Sequence, residues 1–354
     1  MSMSRLGRCV LVVIVLVAAT SSAAPTAVQR TPAILQISWS PNGEWLAWSR
    51  EGDGVHVIRA DGSGARQLFV GNGDLSLDWS PRGAQLAVSS DAATRVASPG
   101  GRVIELEGHF GDWSPDGSSV LVVRPTGTAP NPWSIWVANA QTGSARYLTD
   151  GDLPKWSPTG RQIAFSLILR WNLIFCAETQ LFSIAPDGAN RRPLAAAPQG
   201  YRTQIANNWS PSGARVAFTE EPGINCDDRP ARAILAAGDG SLRTHSIGFG
   251  WARWLPRGRH LAVQAFSPLG AFRIADPSGR TIARFSPASE YSPSADGRRI
   301  VYSEPGRVIR VAGIDGKNRH RLAGGDHPRW SSRNWIAFSA MPPIPAPLFT
   351  ACLS

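Results

Sequence analysis

Few residues in this chain are of types that do chemistry, and they are scattered. The six histidines are His56, His109, His245, His260, His320 and His327. Only His109 and His327 fall in equivalent places, each a few residues before a Trp that opens a recurring motif. Asp74, Asp152, Asn207 and Asp326 occupy similar places. Such groups could hold a cation, or simply line a water-filled channel. No Walker loop, His-Glu-x-x-His pair, dinucleotide fingerprint, Gly-x-Ser-x-Gly elbow or Cys-x-x-Cys is present. The sequence therefore assigns no catalytic residue, no metal ligand and no cofactor.

A second set of residues suits recognition. Three long segments, RPTGTAPNPWS (124–134), LILRWNLIFCAETQ (167–180) and EEPGINCDDRPARA (220–233), carry Trp133, Trp171, Phe175, Asp227, Asp228 and Arg229. Exposed aromatics beside Arg are common at binding surfaces. Joined by His109 and Asp152, these residues are the expected ligand site. The competing reading is that the aromatics cap their own loops as a satellite core.

The elements that must position these residues are repeats. Trp-Ser-Pro recurs at Trp39, Trp79, Trp113, Trp156 and Trp209, with degenerate copies at Trp254, Tyr291 and Trp330. The spacing averages about 42 residues, the period of a propeller blade. Ser-Pro-x-Gly, as in Ser40-Pro41-Asn42-Gly43, is a type I turn sequence. The seventh copy, Ser-Pro-Ser-Ala-Asp-Gly (292–297), has two extra residues, which leaves its register open. A short apolar strand follows each turn, such as QLAVS (85–89) or QIAFS (162–166). Continuous apolarity over five residues predicts a strand covered on both faces. A hairpin turn then recurs, as at Asp61-Gly62, Asp187-Gly188 and Asp315-Gly316.

Each unit thus holds four strands: a before the Trp, b after Ser-Pro-x-Gly, c before the second turn and d after it. The expectation is an all-β propeller of four-stranded blades, eight in number, with seven as the alternative. The anchor Trp is read as packing between blades, its indole N–H needing an acceptor. The last unit lacks a strand d, and residues 26–35 are expected to supply its outer strand and so remove a free edge. The a–b and c–d turns emerge on one face and are short. The b–c loops and d–a connections emerge on the other, where the three long segments would form a wall beside the channel mouth. Loops on a rigid scaffold commonly carry function.

Trp-Ser-Pro-x-Gly-x-x-[hydrophobic]-Ala-[aromatic or Val]-Ser followed by Asp-Gly resembles the TolB-type, WD40-like propeller repeat, most clearly over residues 37–339. The resemblance implies the architecture and says little of function. On this reading the chain is expected to lack both the α/β domain that precedes the propeller in TolB and the hydrolase domain of propeller oligopeptidases.

Residues 1–24 read as a secretory signal. Arg5 and Arg8 form a basic start, Cys9–Ala19 an apolar run too short to span a bilayer, and Ala23-Ala24 a small-residue end. Residues 25–354 are then one propeller domain, secreted or lodged in the periplasm or cell envelope, with no stable membrane span once the signal is removed. Hydrophobic content of 43% and 18% charge fit a globular chain. The net charge of +10 is dispersed and not interleaved with aromatics, so nucleic acid is not an expected partner. The expected role is a monomeric, non-enzymatic scaffold binding an envelope protein, peptide or glycan. The alternative is a carbohydrate-active lyase or glycosidase with its site at the channel mouth. A glycosidase would need two carboxylates about 5–10 Å apart.

Three cysteines remain after the signal: Cys176, Cys226 and Cys352. Cys176 and Cys226 lie between strands b and c of consecutive blades, so a disulfide between them is expected. It would close a loop of about 50 residues, worth roughly 4 kcal/mol in the chain-entropy model. Under denaturing, non-reducing conditions the mature chain should show one free thiol; three would remove the bridge.

Overall fold

The computed structural model describes residues 13–14, 34–70, 75–90, 93–127, 130–171, 177–196, 201–204, 209–222, 230–265, 270–339 and 348–352. All described strands belong to four-stranded antiparallel sheets, eight in all. In the first, strands a to d are Ile34–Trp39, Trp45–Arg50, Gly54–Arg59 and Arg66–Phe69. Seven blades are built this way from consecutive strands, over residues 34–69, 76–107, 109–150, 152–193, 201–249, 251–285 and 291–324. The eighth sheet joins the two ends of the chain. Its order is Val13–Ile14, Leu348–Cys352, Trp335–Ser339 and Asp326–Trp330. The outer strand there is Val13–Ile14, from the segment read as a secretory signal, where the repeat pattern pointed to residues 26–35. Ile34 and Leu35 instead begin the inner strand of the first blade, and residues 15–33 lie outside the described ones.

The core lies between blades, not at the centre of the ring. Leu106 of the second blade packs with Trp113, Val120 and Val122 of the third. On its other side the third blade sends Leu121, Val123 and Ile135 against Ile163, Phe165 and Leu167 of the fourth. Alternate residues of strand b point to opposite faces, and both faces are covered. That is why strand b reads as an unbroken apolar run.

Most anchor Trp residues are also hydrogen-bond donors across a blade junction. The indole N–H of Trp39 donates to the Arg329 carbonyl (3.2 Å), Trp79 to Ser38 (3.1 Å), Trp113 to Asp78 (2.9 Å) and Trp209 to Lys155 (3.1 Å). The acceptor is always the residue just before the anchor of the preceding blade. Two junctions use a different bond. The backbone N–H of Trp156 donates to the Asp112 carboxylate (2.8 Å), and that of Trp330 to the Ser292 hydroxyl (2.9 Å). The indole nitrogens of Trp156 and Trp330 are then buried without a hydrogen-bond partner, as is that of the sixth-blade anchor Trp254.

The turn serine does more than start a corner. The Ser40, Ser80, Ser114, Ser157 and Ser210 side chains are buried, and each hydroxyl accepts the backbone N–H five residues ahead, at 2.9–3.1 Å. The same bonding fixes the register of the seventh unit. Gly297 N–H donates to Ser294 O (2.8 Å), and Arg299 N–H to the Ser294 hydroxyl (3.0 Å). The turn is therefore Ser294-Ala295-Asp296-Gly297, which puts Pro293 at the anchor position and Tyr291 two residues before it. Ser292-Pro293 copies the motif's spelling without its geometry.

The long b–c segments of blades four and five are largely strand. Ile163–Trp171 and Ala177–Ile184 pair as far as Trp171 opposite Ala177, and Arg215–Pro222 pairs with Arg232–Ala237. They project as hairpins, tied by Arg170–Glu178 and Arg232–Glu220 ion pairs, each at 2.5 Å.

Trp113→Phe removes a paired donor and leaves the Asp78 carbonyl bare, whereas Trp156→Phe removes an unpaired one. Urea midpoints should show the first variant less stable than the second by about 1–3 kcal/mol. Equal losses would mean that the indole bond contributes nothing.

Candidate functional site

Three of the eight expected site residues are described in full, and they converge. His109 opens strand a of the third blade, Trp133 opens strand c of the same blade, and Asp152 opens strand a of the fourth. His109 Nε2 lies 3.7 Å from an Asp152 oxygen, within ion-pair reach but longer than a hydrogen bond. Its ring meets the Trp133 indole edge-on, with centroids 5.4 Å apart. The loop before Trp133 is bolted to the fourth blade: the Asn131 side chain accepts from Ile168 N–H (2.9 Å) and donates to its carbonyl (3.1 Å). Trp133 O in turn accepts from Gly151 N–H (3.0 Å). The cluster is therefore rigid and half-exposed. Trp171 ends its hairpin strand. Phe175, Asp227, Asp228 and Arg229 lie outside the described residues, as do Cys176 and Cys226.

A second cluster lies in the channel, and of its members sequence reading singled out only His327. A cavity of about 780 Å³ is lined by strands a of the first, second, sixth and seventh blades and of the eighth sheet. Among its lining residues are Asp78, Trp251, Arg253, Glu290, His327 and Arg329. Most of these stand one or three residues before an anchor, and that recurring polar position was the available signal.

One local motif aims the charges. Gly151-Asp152-Leu153-Pro154-Lys155-Trp156 and Gly325-Asp326-His327-Pro328-Arg329-Trp330 share Gly-Asp-x-Pro-basic-Trp, four units apart in the chain. In both, the residue after Asp adopts a positive φ, 53° at Leu153 and 54° at His327. The pairing to strand b slips there. The Gly before Asp also passes tight against strand b: a Cβ on Gly325 would sit 2.3 Å from the Ser339 carbonyl. Beyond this kink the basic side chain reaches back to the preceding blade. Lys155 donates to the Gly111 carbonyl (2.7 Å) and lies 3.8 Å from Asp112. Arg329 donates to Glu290 (2.9 Å), whose other oxygen lies 2.7 Å from His327 Nδ1.

These contacts set the charge states. Burial alone would push the Glu290 carboxyl up. The His327 hydrogen bond and the Arg329 charge outweigh it and hold the group down, at about 2. Burial pushes the Asp78 carboxyl above the usual carboxylate range, against the pull of Lys155 and Arg253. Asp112 moves in the same direction for the same reason, against Lys155 and the Trp156 N–H. Among the described residues no three His, Cys, Asp or Glu side chains converge as a metal site would need.

The fold was compared with known proteins. No family model matches the chain, and no curated protein matches it. Solved structures do match. An oligogalacturonate lyase in complex with manganese aligns over 90% of this chain and 88% of its own, at 15% identity and a TM-score of 0.51. The Dos1 propeller aligns over 91% of this chain and 93% of its own, at 9% identity and a TM-score of 0.63. A protein assigned as TolB from Agrobacterium tumefaciens covers 62% of this chain and 82% of its own, at 22% identity and a TM-score of 0.43. That score is too low to carry an argument. At these identities the likeness establishes a β-propeller fold and nothing finer. No helix among the described residues is long and apolar enough to cross a membrane.

Glu290 is depressed in the folded state relative to its ordinary value of 4.5. Its contribution to stability is thus present above that value and lost as pH falls through it towards about 2. Glu290→Gln should remove this part of the acid-unfolding profile between pH 4.5 and 2 while leaving the neutral-pH shape unchanged. An unaltered acid limb would show that the His327–Glu290–Arg329 contact contributes nothing.

Proposed function

We propose that this chain is an exported, non-enzymatic binding scaffold that holds its ligand at the channel mouth, on the face carrying the b–c hairpins. The observation that carries this reading is the pairing within the site. His109, Trp133 and Asp152 are locked to one another, and Glu290 is held between His327 and Arg329. Groups engaged in this way offer a fixed pattern of charge and ring surface, which suits recognition. The ligand class is an envelope protein, peptide or glycan, met by the secreted or periplasmic chain as a monomer. The test is capture from a cell-envelope extract with the mature protein, read by mass spectrometry. A partner recovered by the wild type should be lost by Trp133→Ala and by Trp171→Ala. A partner retained by both folded variants would move the site elsewhere.

A second reading is a carbohydrate-active enzyme acting at the channel mouth. It is favoured by Asp78, an acid with a raised proton affinity beside the Arg253 charge, and by the likeness to an oligogalacturonate lyase fold. Under this reading the chain should cleave an acidic oligosaccharide, with ultraviolet absorbance reporting an unsaturated product. Asp78→Asn should then reduce turnover at least about tenfold.

A further inference from the structure

The face opposite the hairpins carries a cavity that the proposed function does not use. It has a volume of about 650 Å³ and lies where the short turns of the fourth and fifth blades meet. Its rim holds Arg161, Arg215 and Arg243, all exposed, with the Thr159 and Thr244 hydroxyls between them. One acid, Asp239, is present and already engaged: Arg243 donates to it at 3.0 Å and Ser241 N–H at 2.9 Å. The guanidinium groups of Arg161 and Arg215 have no ion-pair or hydrogen-bond partner among the described residues. Arg192 stands just outside the rim. When Gln162 takes the amide orientation that satisfies both its ends, it accepts from Arg192 (3.0 Å) and donates to the Gly238 carbonyl (3.1 Å). The floor is closed by the buried, apolar Leu235 and Ala236.

The cavity therefore offers unneutralised positive charge, hydroxyls and an apolar floor. A guanidinium presents parallel N–H donors that match the two oxygens of a carboxylate. Hydroxyls suit the polar edge of a sugar ring. No Phe, Tyr or Trp lines the cavity, and the one ring there, His245, is tied to the Pro277 carbonyl (2.7 Å), so bases would find no row of stacking platforms. Leu242 is the one large exposed hydrophobic next to Arg243, too little to anchor a lipid surface. From this juxtaposition we infer that the groove between the fourth and fifth blades is a binding site for a carboxylated polysaccharide, gripped by Arg161 and Arg215.

The test is titration of the mature chain with alginate oligosaccharides, with neutral dextran as the control. Alginate should bind, more weakly as salt rises, and dextran should not. Arg161→Ala combined with Arg215→Ala should weaken alginate binding at least about tenfold. The comparison that decides the matter removes the same charge elsewhere on the same face. Arg82 and Arg298 are exposed on the corresponding turns of the second and seventh blades, outside this cavity. Arg82→Ala combined with Arg298→Ala should change binding less than twofold. Equal losses from the two double variants would reduce the effect to net charge and overturn the site. So would absence of alginate binding, or binding only to vesicles of anionic lipid. The Trp133→Ala variant, altered on the opposite face, should bind alginate as the wild type does, which separates failure of this site from failure of the channel-mouth reading.

Discussion

Strand b can be apolar on both faces only if another blade stands on each side. That constraint organises the rest of the molecule. An open row of such blades would leave apolar faces exposed at each end, so the row must close. The closing contacts join opposite ends of the chain. The Trp39 indole donates to the Arg329 carbonyl, and Arg333 pairs with Glu44 at 3.0 Å. The anchor Trp serves this packing twice, filling the space between blades and bonding to the neighbour's inner strand. Where the preceding residue offers its side chain instead, as Asp112 and Ser292 do, the same junction is closed through the anchor's backbone N–H. The indole is then left unpaired at a cost in the buried state.

Closing the ring has a consequence for charge. The inner strands present their edges to a common channel, and the residues beside each anchor must tolerate that wet, confined space. Asp78, Asp112, Lys155, Arg253, Glu290 and Arg329 stand there, and their charges are balanced mostly by partners on adjacent blades. Burial opposes ionisation at Asp78 and Asp112, while Glu290 stays ionised because two donors converge on it. The same acid type thus behaves in two ways a few strands apart, according to how many donors each neighbour brings.

The two faces of the ring differ for a simple reason of connection length. Turns of Ser-Pro-x-Gly and Asp-Gly leave little room for added structure, so that face is shaped by the grooves between neighbouring turns. The hairpins on the other face extend the sheet, and their cross-strand pairs hold side chains in place. Asp in the short turns is consumed locally. Asp61, Asp116, Asp276 and Asp315 each accept the backbone N–H two residues ahead. Some arginines near these turns still find a carboxylate, as Arg243 does at Asp239 and Arg280 at Asp276, while Arg161 and Arg215 have none among the described residues.

Much of the fold was legible without coordinates. The period, the turn residues and the apolar strand after each turn determine four-stranded units that pack face to face, because local sterics and burial act over a few residues. They also placed His109, Trp133 and Asp152 on one face, which the structure brings into contact. Other features needed the tertiary structure. In the seventh unit, Tyr-Ser-Pro matches the motif but the hydroxyl that closes the turn is that of Ser294, a choice made by hydrogen bonds that spelling cannot report. Segments read as loops became paired hairpins, because cross-strand register depends on residues a dozen positions apart. The groupings of Glu290 with His327 and Arg329, and of Arg161 with Arg215, unite residues from different blades. They meet because consecutive blades pack face to face, and no local pattern in the chain records which side chains that packing brings together.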